Sequence, residues 1–385
     1  GVLPGDVASL VHGTTVATNA ILEGKGVKTG LLITDGFRAV YEARGWARPE
    51  ATELIDPFYR KPPLLASQSL THGIPGRIDY QGAELEALDE DAVRVAARAL
   101  MADGVESVAV SYLFSFQNPA HEQRTAEILA EESEDWRVSL SSVVLPTIRE
   151  YPRQSTTVID AYVGPIMQRY LERLSDRLVE RGVVTPQVFL MQFNGGLMRI
   201  TIGARFPNQT LLSGPAGGVV AGEELARITG QQEIVTLDMG GTSTDIAMIT
   251  GGRANETNEG KIAGQDIGTP MLQVRTLGAG GGTIARIGPD GLLKVGPESA
   301  GALPGPACYG RGGEMPTVTD ANLVLGALAS DNVLGGRMTL DRAAAETAIK
   351  THVADPLGLT VEAAAAGILR IVNTNMAVDL RLAFQ

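Results

Sequence analysis

The chain has 385 residues, of which 44% are hydrophobic and 20% charged, with 46 glycines and one cysteine. This length predicts two or three domains, and the apolar fraction excludes a disordered chain. A net charge of -12 argues against a nucleic-acid partner, which needs clustered Lys and Arg, and a lone cysteine excludes an internal disulfide framework.

The chain opens with a strand–turn–helix–strand pattern. Residues 7–11 form a short apolar run, and His12-Gly13-Thr14-Thr15 a turn with Thr15 placed as an N-cap. Residues 16–23 follow as a helix and 27–34 as a β-branched strand. Five prolines between residues 46 and 80 predict a long loop or short irregular strands. A helix over 89–101 is predicted with Asp89 as cap and Val93, Ala96, Ala97 and Leu100 on its buried face, stopped at Gly104. A buried strand over 105–116, a helix started by Asn118-Pro119 and running to Glu132, and a strand over 137–140 continue the alternation. Such alternation predicts an α/β layer with parallel pairing.

The longest helix is expected over 155–181, with Ile159, Val163, Ile166, Tyr170, Leu174 and Leu178 as its apolar stripe. A domain boundary is placed before it, giving domains 1–150 and 151–385. Beyond residue 190 the glycines cluster. A strand over 188–191, a turn at Asn194-Gly195-Gly196 and a helix from Ser213 to residue 228 come first. Strands over 234–238 and 244–250 flank Met239-Gly240-Gly241-Thr242-Ser243. A glycine run covers 278–282, a Pro/Gly loop over 303–316 holds Cys308, and helices are expected over 320–328 and 340–353.

The segment 237–245 carries the strongest chemical signal. An apolar strand delivers Asp238, Gly240 and Gly241 let backbone N–H groups approach an anion, and Thr242, Ser243 and Thr244 offer hydroxyls before Asp245. Asp238 at the strand end suits Mg²⁺, which prefers carboxylates together with phosphate. No Lys follows the glycines and a strand follows them, so neither a Walker loop nor a dinucleotide fingerprint fits. The competing reading is a plain β-hairpin with a glycine turn. Gly214 and Gly217 enter a helix whose N-terminus suits phosphate, and Gly280 and Gly281 suit a nucleotide or substrate cradle; tight packing explains both segments as well. His12, with Thr14, Thr15, Thr18 and Asn19, puts polar groups at a strand end, where open α/β folds bind ligands. Cys308 reads as a small buried residue more readily than as a nucleophile.

Taken together, these segments resemble the hydantoinase A / 5-oxoprolinase family, including subunits of the N-methylhydantoinase A type. The matching stretches are His12 to Ala20, Ser155-Thr156-Thr157-Val158, Asn194-Gly195-Gly196-Leu197-Met198, Ser213 to Gly218, 237–245, 278–283, and Gly305 to Gly310 with Thr319-Asp320-Ala321-Asn322. They lie in family order along nearly the whole chain. The resemblance implies an actin/Hsp70/sugar-kinase-like ATPase fold, in which two α/β domains clamp ATP and Mg²⁺ between glycine hairpins. It implies ATP-dependent ring opening of a cyclic amide such as a hydantoin, N-methylhydantoin or 5-oxoproline through carbonyl phosphorylation. Asp238 would organise the metal, Gly240, Gly241, Thr242, Ser243 and Thr244 would hold phosphates, Asp245 would orient a hydroxyl or water, and His12 would contact substrate or phosphate. A hydantoinase B-type subunit or domain is the implied partner, in an oligomer. The same motifs suit a subunit of an acetone- or acetophenone-type carboxylase, and a nucleotide-binding scaffold is the non-enzymatic alternative.

The sequence departs from the family pattern at both ends. No Asp-x-Gly-Gly-Thr-x-Thr-Asp hairpin precedes His12, and no Phe-Gly-Gly-Ala-Gly segment follows Asn375-Met376-Ala377. With no initiator Met and an end inside a helical pattern, the chain is expected to be part of a longer polypeptide that by itself binds ATP weakly and hydrolyses little. No apolar run of about 18 residues predicts a membrane span and the start lacks a signal-peptide pattern, so a cytoplasmic location is expected.

Overall fold

A computed structural model of the chain describes residues 3–44, 60–258, 260–331 and 338–383. It is an α/β protein with two compact units. Unit 1 takes residues 1–220 and 256–272, and unit 2 takes 221–255 and 273–385.

Unit 1 begins with strand β1 (Leu10–His12) and helix α1 (Val16–Leu22), followed by β2 (Thr29–Thr34) and β3 (Thr71–Ile74). Helix α2 (Glu90–Ala102), β4 (Ser107–Ser111), α3 (Ala120–Glu132), β5 (Arg137–Leu140) and the long helix α4 (Glu150–Glu180) come next. The strands β3-β2-β4-β5 form one sheet, parallel throughout. All six residues of β2 are buried, as expected for an inner strand covered on both faces. The strand alternation sorts the core into two layers. Leu32, Val108 and Val110 pack with Val93, Ala96, Leu100, Ile128 and Leu129 of α2 and α3. Leu31, Ile33 and Ala109 point the other way, toward Val158 and Ala161 of α4. Beside this sandwich, β1 pairs in parallel with β6 (Val188–Met191), which turns back into β7 (Leu197–Arg199). Helix α5 (Ser213–Thr229) then leads from unit 1 into unit 2.

In unit 2, β8 (Ile234–Met239) and β9 (Thr244–Thr250) form an antiparallel hairpin. The other edge of β9 takes β10 (Arg253–Ala254) and β11 (Val274–Leu277). A second hairpin, β12 (Thr283–Ile287) with β13 (Leu293–Ser299), and helices α6 (Val318–Val324), α7 (Arg342–Ile349) and α8 (Val361–Ala383) enclose one core of Ala285, Cys308, Ala321, Ile349, Ala364 and Ile368, among others. Among the described residues, no single helix is long and apolar enough to cross a membrane.

Several expected boundaries move, each for a physical reason. Asp89 caps α2 as expected, its carboxylate accepting from Ala92 N–H at 2.9 Å. Thr15 stands at the N-cap of α1 but its hydroxyl makes no capping bond; Thr14 Oγ1 accepts from Val16 N–H instead. The strand expected over 105–116 stops at Ser111. There Tyr112 N–H donates to Glu122 Oε1 and Leu113 N–H to Thr34 Oγ1, so side chains replace the ladder. Helix α4 starts at Glu150, not at residue 155, because Pro152 falls in its first turn, where a missing N–H costs nothing. Residues 45–59 of the proline-rich stretch lie outside the described residues; the remainder includes β3 and a short strand, Arg77–Ile78.

A buried polar knot closes the end of β4. Glu122 accepts from Tyr112 N–H (3.0 Å), Ser141 Oγ (2.6 Å) and Ser142 N–H (2.8 Å). Arg153, fully buried, donates to Tyr112 O, Thr147 O and Ser141 Oγ. Removing Glu122 would leave the buried Tyr112 N–H and the half-buried Ser142 N–H without an acceptor and take one from the Ser141 hydroxyl, which also meets Ser115 Oγ. Glu122→Ala is therefore expected to lower unfolding free energy by about 3 kcal/mol in urea denaturation, with the exposed Glu127→Ala unchanged within error. Equal small effects from both would show that the knot contributes nothing.

Candidate functional site

The hairpin register decides the geometry of the acidic motif. Asp238 of β8 stands directly opposite Asp245 of β9, and Asp245 stands opposite Thr276 of β11. Directly opposed residues share a sheet face, so Asp238, Asp245 and Thr276 form one row across three strands. Thr276 Oγ1 donates to Asp245 Oδ1 at 2.6 Å. Asp238 is exposed and Asp245 half-buried. Burial pushes the Asp245 carboxyl above its ordinary range; the Thr276 hydrogen bond opposes this, and the charge of Asp238 adds to it.

The turn between the strands is closed by Gly240 N–H donating to Ser243 O at 2.8 Å. The N–H groups of Gly241, Thr242 and Ser243 donate to no acceptor among the described residues. Thr244 is buried and its hydroxyl donates to Ala279 O. Of the residues expected to hold phosphates, the turn therefore presents Gly241, Thr242 and Ser243, while Gly240 N–H and Thr244 Oγ1 are engaged within the fold.

The second glycine run supports this turn from behind. Gly281 N–H donates to Gly240 O (3.0 Å) and Gly282 N–H to Gly241 O (2.6 Å). A Cβ on Gly280 would lie 2.6–2.8 Å from backbone atoms of Thr242 and Ser243. Glycine is required here for close approach of two backbones, since Gly280 does not have a positive φ. Thr319 N–H and Oγ1 both donate to Gly281 O at 2.8 Å, tying the loop to α6. Gly280 and Gly281, expected to cradle a nucleotide or substrate, instead shape the turn: Gly281 N–H is engaged with Gly240 O and Gly280 N–H with Thr283 Oγ1.

Cys308 is fully buried in the unit 2 core. Burial and the neighbouring Asp320 push its thiol far up, which suppresses the nucleophilic thiolate. Asp320 accepts from Cys308 N–H (2.8 Å), Thr317 N–H (2.9 Å) and Thr317 Oγ1 (2.7 Å), so it holds the 303–316 loop on the first turn of α6.

Unit 1 contains the other expected residues. Ser213 Oγ accepts from Thr14 N–H (3.0 Å) and donates to Thr14 O (2.8 Å), and Thr18 Oγ1 accepts from Leu212 N–H. These bonds lock the start of α5, with Gly214 and Gly217, against the His12 turn. Gly214 and Gly217 have no close backbone neighbours that would exclude a side chain. His12 ends β1, half-buried, with Nε2 at 2.6 Å from Tyr170 Oη of α4. Burial lowers the basicity of His12. Sequence reading missed Thr276 and gave Thr319 and Tyr170 no site role. Tyr170 was hidden in an apolar helix stripe, and only strand register exposes Thr276.

The row fits a magnesium ion with phosphate. Two carboxylates opposed on one face repel each other, which adds to the burial that raises the Asp245 carboxyl; a divalent cation relieves the repulsion. Among the described residues no three His, Cys, Asp or Glu converge as a metal cage, so an ion here would complete its shell with water and phosphate oxygens.

Two outcomes follow. Gly280→Ala must push the loop off the turn, and a loss of about 1–3 kcal/mol in chemical denaturation is expected. Asp245→Asn acts oppositely. A raised folded-state pKa means the folded chain holds its proton longer than the unfolded one, so stability falls as pH rises through this range. Asp245→Asn should raise Tm at pH 7 and leave it unchanged well below the carboxylate range; a lower Tm at pH 7 refutes the assignment.

The hydantoinase/oxoprolinase family model matches residues 153–385, and that of the hydantoinase/oxoprolinase N-terminal region matches residues 2–133. Caprolactamase subunit alpha of Pseudomonas jessenii is 44% identical over 371 residues, which cover 96% of this chain and 53% of that protein. The nucleotide-free structure of acetone carboxylase, solved in a study of ATP-dependent acetone carboxylation, aligns with a TM-score of 0.86 at 32% identity, over 98% of this chain and 54% of that one. The crystal structure of ATP-dependent caprolactamase from Pseudomonas jessenii aligns with a TM-score of 0.75 at 43% identity, with the same coverage of both chains. The chain spans about half the length of these relatives.

Proposed function

The chain belongs to the hydantoinase/oxoprolinase family, and we propose that it is the A-type part of an enzyme that opens a cyclic amide at the expense of ATP. The observation that carries this reading is the Asp238–Asp245–Thr276 row beside a turn with three unengaged amides. Such a turn binds the oxygens of a phosphate chain, and the row accommodates the accompanying cation. The ATP-dependent caprolactamase and acetone carboxylase support the use of ATP. On this reading the fold is of the actin/Hsp70/sugar-kinase ATPase type.

A lactam carbonyl is a poor electrophile. Transfer of the terminal phosphoryl group to the carbonyl oxygen breaks its bond to ADP and gives the ring carbon a good leaving group. Water then adds at that carbon, the C–N bond breaks as the ring nitrogen takes up a proton, and a second water hydrolyses the resulting acyl phosphate to carboxylate and free phosphate. The protein's contribution to the first step is position and charge. The amides of Gly241, Thr242 and Ser243 hold phosphate oxygens, Asp238 holds Mg²⁺, and Asp245, fixed by Thr276, orients an attacking or bridging hydroxyl. Magnesium, when bound, neutralises phosphate charge. A B-type subunit or domain supplies the ring-opening half, in a cytoplasmic oligomer.

The structural likeness to acetone carboxylase favours a second reading, in which an enolised ketone is phosphorylated and then carboxylated. Phosphate release by the full-length protein with its B-type partner, over hydantoins, 5-oxoproline, caprolactam and ketones with bicarbonate, separates the two. Asp238→Ala in that assembly is expected to lose about a thousandfold in kcat, ~4 kcal/mol of barrier. Unchanged turnover would leave only a scaffold role for this site.

A further inference from the structure

The sequence singles out His12 as a polar residue at a strand end, placed to contact substrate or phosphate. In unit 1 its ring is not free. Tyr170, brought from α4 across 158 residues of sequence, places Oη 2.6 Å from Nε2, and the two rings stack with centroids 6.0 Å apart at 29°. The remaining ring nitrogen, Nδ1, has no partner among the described residues. Gly13 and Thr15 of the same turn are exposed, as is Asn19 on the following helix.

We propose that Tyr170 donates its hydroxyl hydrogen to Nε2 and so holds His12 as the neutral Nδ1–H tautomer, a hydrogen-bond donor to a ligand oxygen and not a general base. The direction of the bond follows from acidity. A phenol O–H is a far stronger acid than a neutral imidazole N–H, and an imidazole lone pair is far more basic than a phenol oxygen. A neutral pair at this distance therefore places its hydrogen on oxygen, pointing at Nε2. The second imidazole hydrogen then sits on Nδ1. Protonating the ring would put a hydrogen on Nε2 as well and force the phenol to turn its own away. Burial acts in the same direction, since it disfavours the imidazolium. A neutral imidazole donor suits an oxygen that gains negative charge without giving up a proton. Which oxygen it serves, a cyclic-amide carbonyl or a phosphoryl oxygen, rests on the functional reading above; the tautomer does not.

The tautomer is measured directly on the chain. Long-range ¹H–¹⁵N spectra of ¹⁵N-histidine-labelled protein at pH 7–8 should show four histidines, with the His12 signals assigned by their loss in His12→Gln. The expected result is a protonated Nδ1 and an unprotonated Nε2 for His12. Tyr170→Phe keeps the stacked ring, and should move His12 toward the Nε2–H form while leaving His72 unchanged. An Nε2–H tautomer in the parent chain, or the same tautomer with and without the phenol, overturns the proposal. In the full-length assembly, Tyr170→Phe should lower kcat about tenfold, the worth of one neutral hydrogen bond, with the KM for ATP unchanged. In a His12→Gln background the same substitution should have no further effect; fully additive losses also overturn the coupling. Should the assembly turn over none of the cyclic amides, the functional reading fails while the spectra still decide the tautomer.

Discussion

Two backbones in contact set the geometry of unit 2. The loop at 278–282 lies against the turn at 240–243 so closely that Gly280 has no room for a Cβ, and two of its amides cap the turn's carbonyls. That contact settles which groups of the turn face inward and which remain available. The Gly240 N–H and the Thr244 hydroxyl are engaged within the fold, and the amides of residues 241–243 are left out of it. The loop is in turn fixed by Thr319, the first turn of α6 by the Thr317–Asp320 capping box, and Asp320 by the loop around Cys308. A continuous set of hydrogen bonds therefore runs from the candidate anion site to the hydrophobic core of unit 2. A side chain at Gly280 would be felt along all of it.

The electrostatic arrangement complements that rigidity. Like charges opposite one another on a hairpin are unfavourable. Here the pair survives because Asp238 keeps its access to water and Asp245 accepts a hydroxyl hydrogen from Thr276. The residual repulsion is a standing preference for a cation, and the neighbouring amides are a standing preference for an anion. A metal–phosphate group satisfies both at once, which neither half of the site does alone. Unit 1 shows the same device at its own ligand-type residues. One serine hydroxyl both donates to and accepts from the backbone of Thr14, and one tyrosine hydroxyl fixes the ring of His12.

Local signals in the sequence were read well where the physics is local. The Asp89 cap, the buried face of α2, and the strands at 137–140 and 188–191 all follow from spacing and capping within one window. Failures occurred where a distant partner overrode that window. Residues 112–116 look like strand because they are largely apolar, yet Glu122 and Thr34 take the N–H groups of Tyr112 and Leu113. The first turn of α4 carries Pro152, yet it is helical, and Arg153 is buried against the carbonyls of Tyr112 and Thr147 and the hydroxyl of Ser141. Tyr170 looked like one more apolar residue on a stripe, because an amphipathic pattern records a tyrosine's ring and is silent about its hydroxyl.

The order of motifs along the chain carried the family resemblance, because several glycine-, hydroxyl- and acid-bearing segments match that family in sequence. It also determined that an acid, two glycines and three hydroxyls lie on a strand–turn–strand, since hairpin formation is a short-range property. Only the tertiary structure decided that Asp238, Asp245 and Thr276 share a row, which turn amides are free, why residue 280 must be glycine, and what touches His12. Each of these depends on register or on contact between segments tens to more than a hundred residues apart. Such contacts are selected by the packing of the whole core, and no local stretch of sequence contains that information.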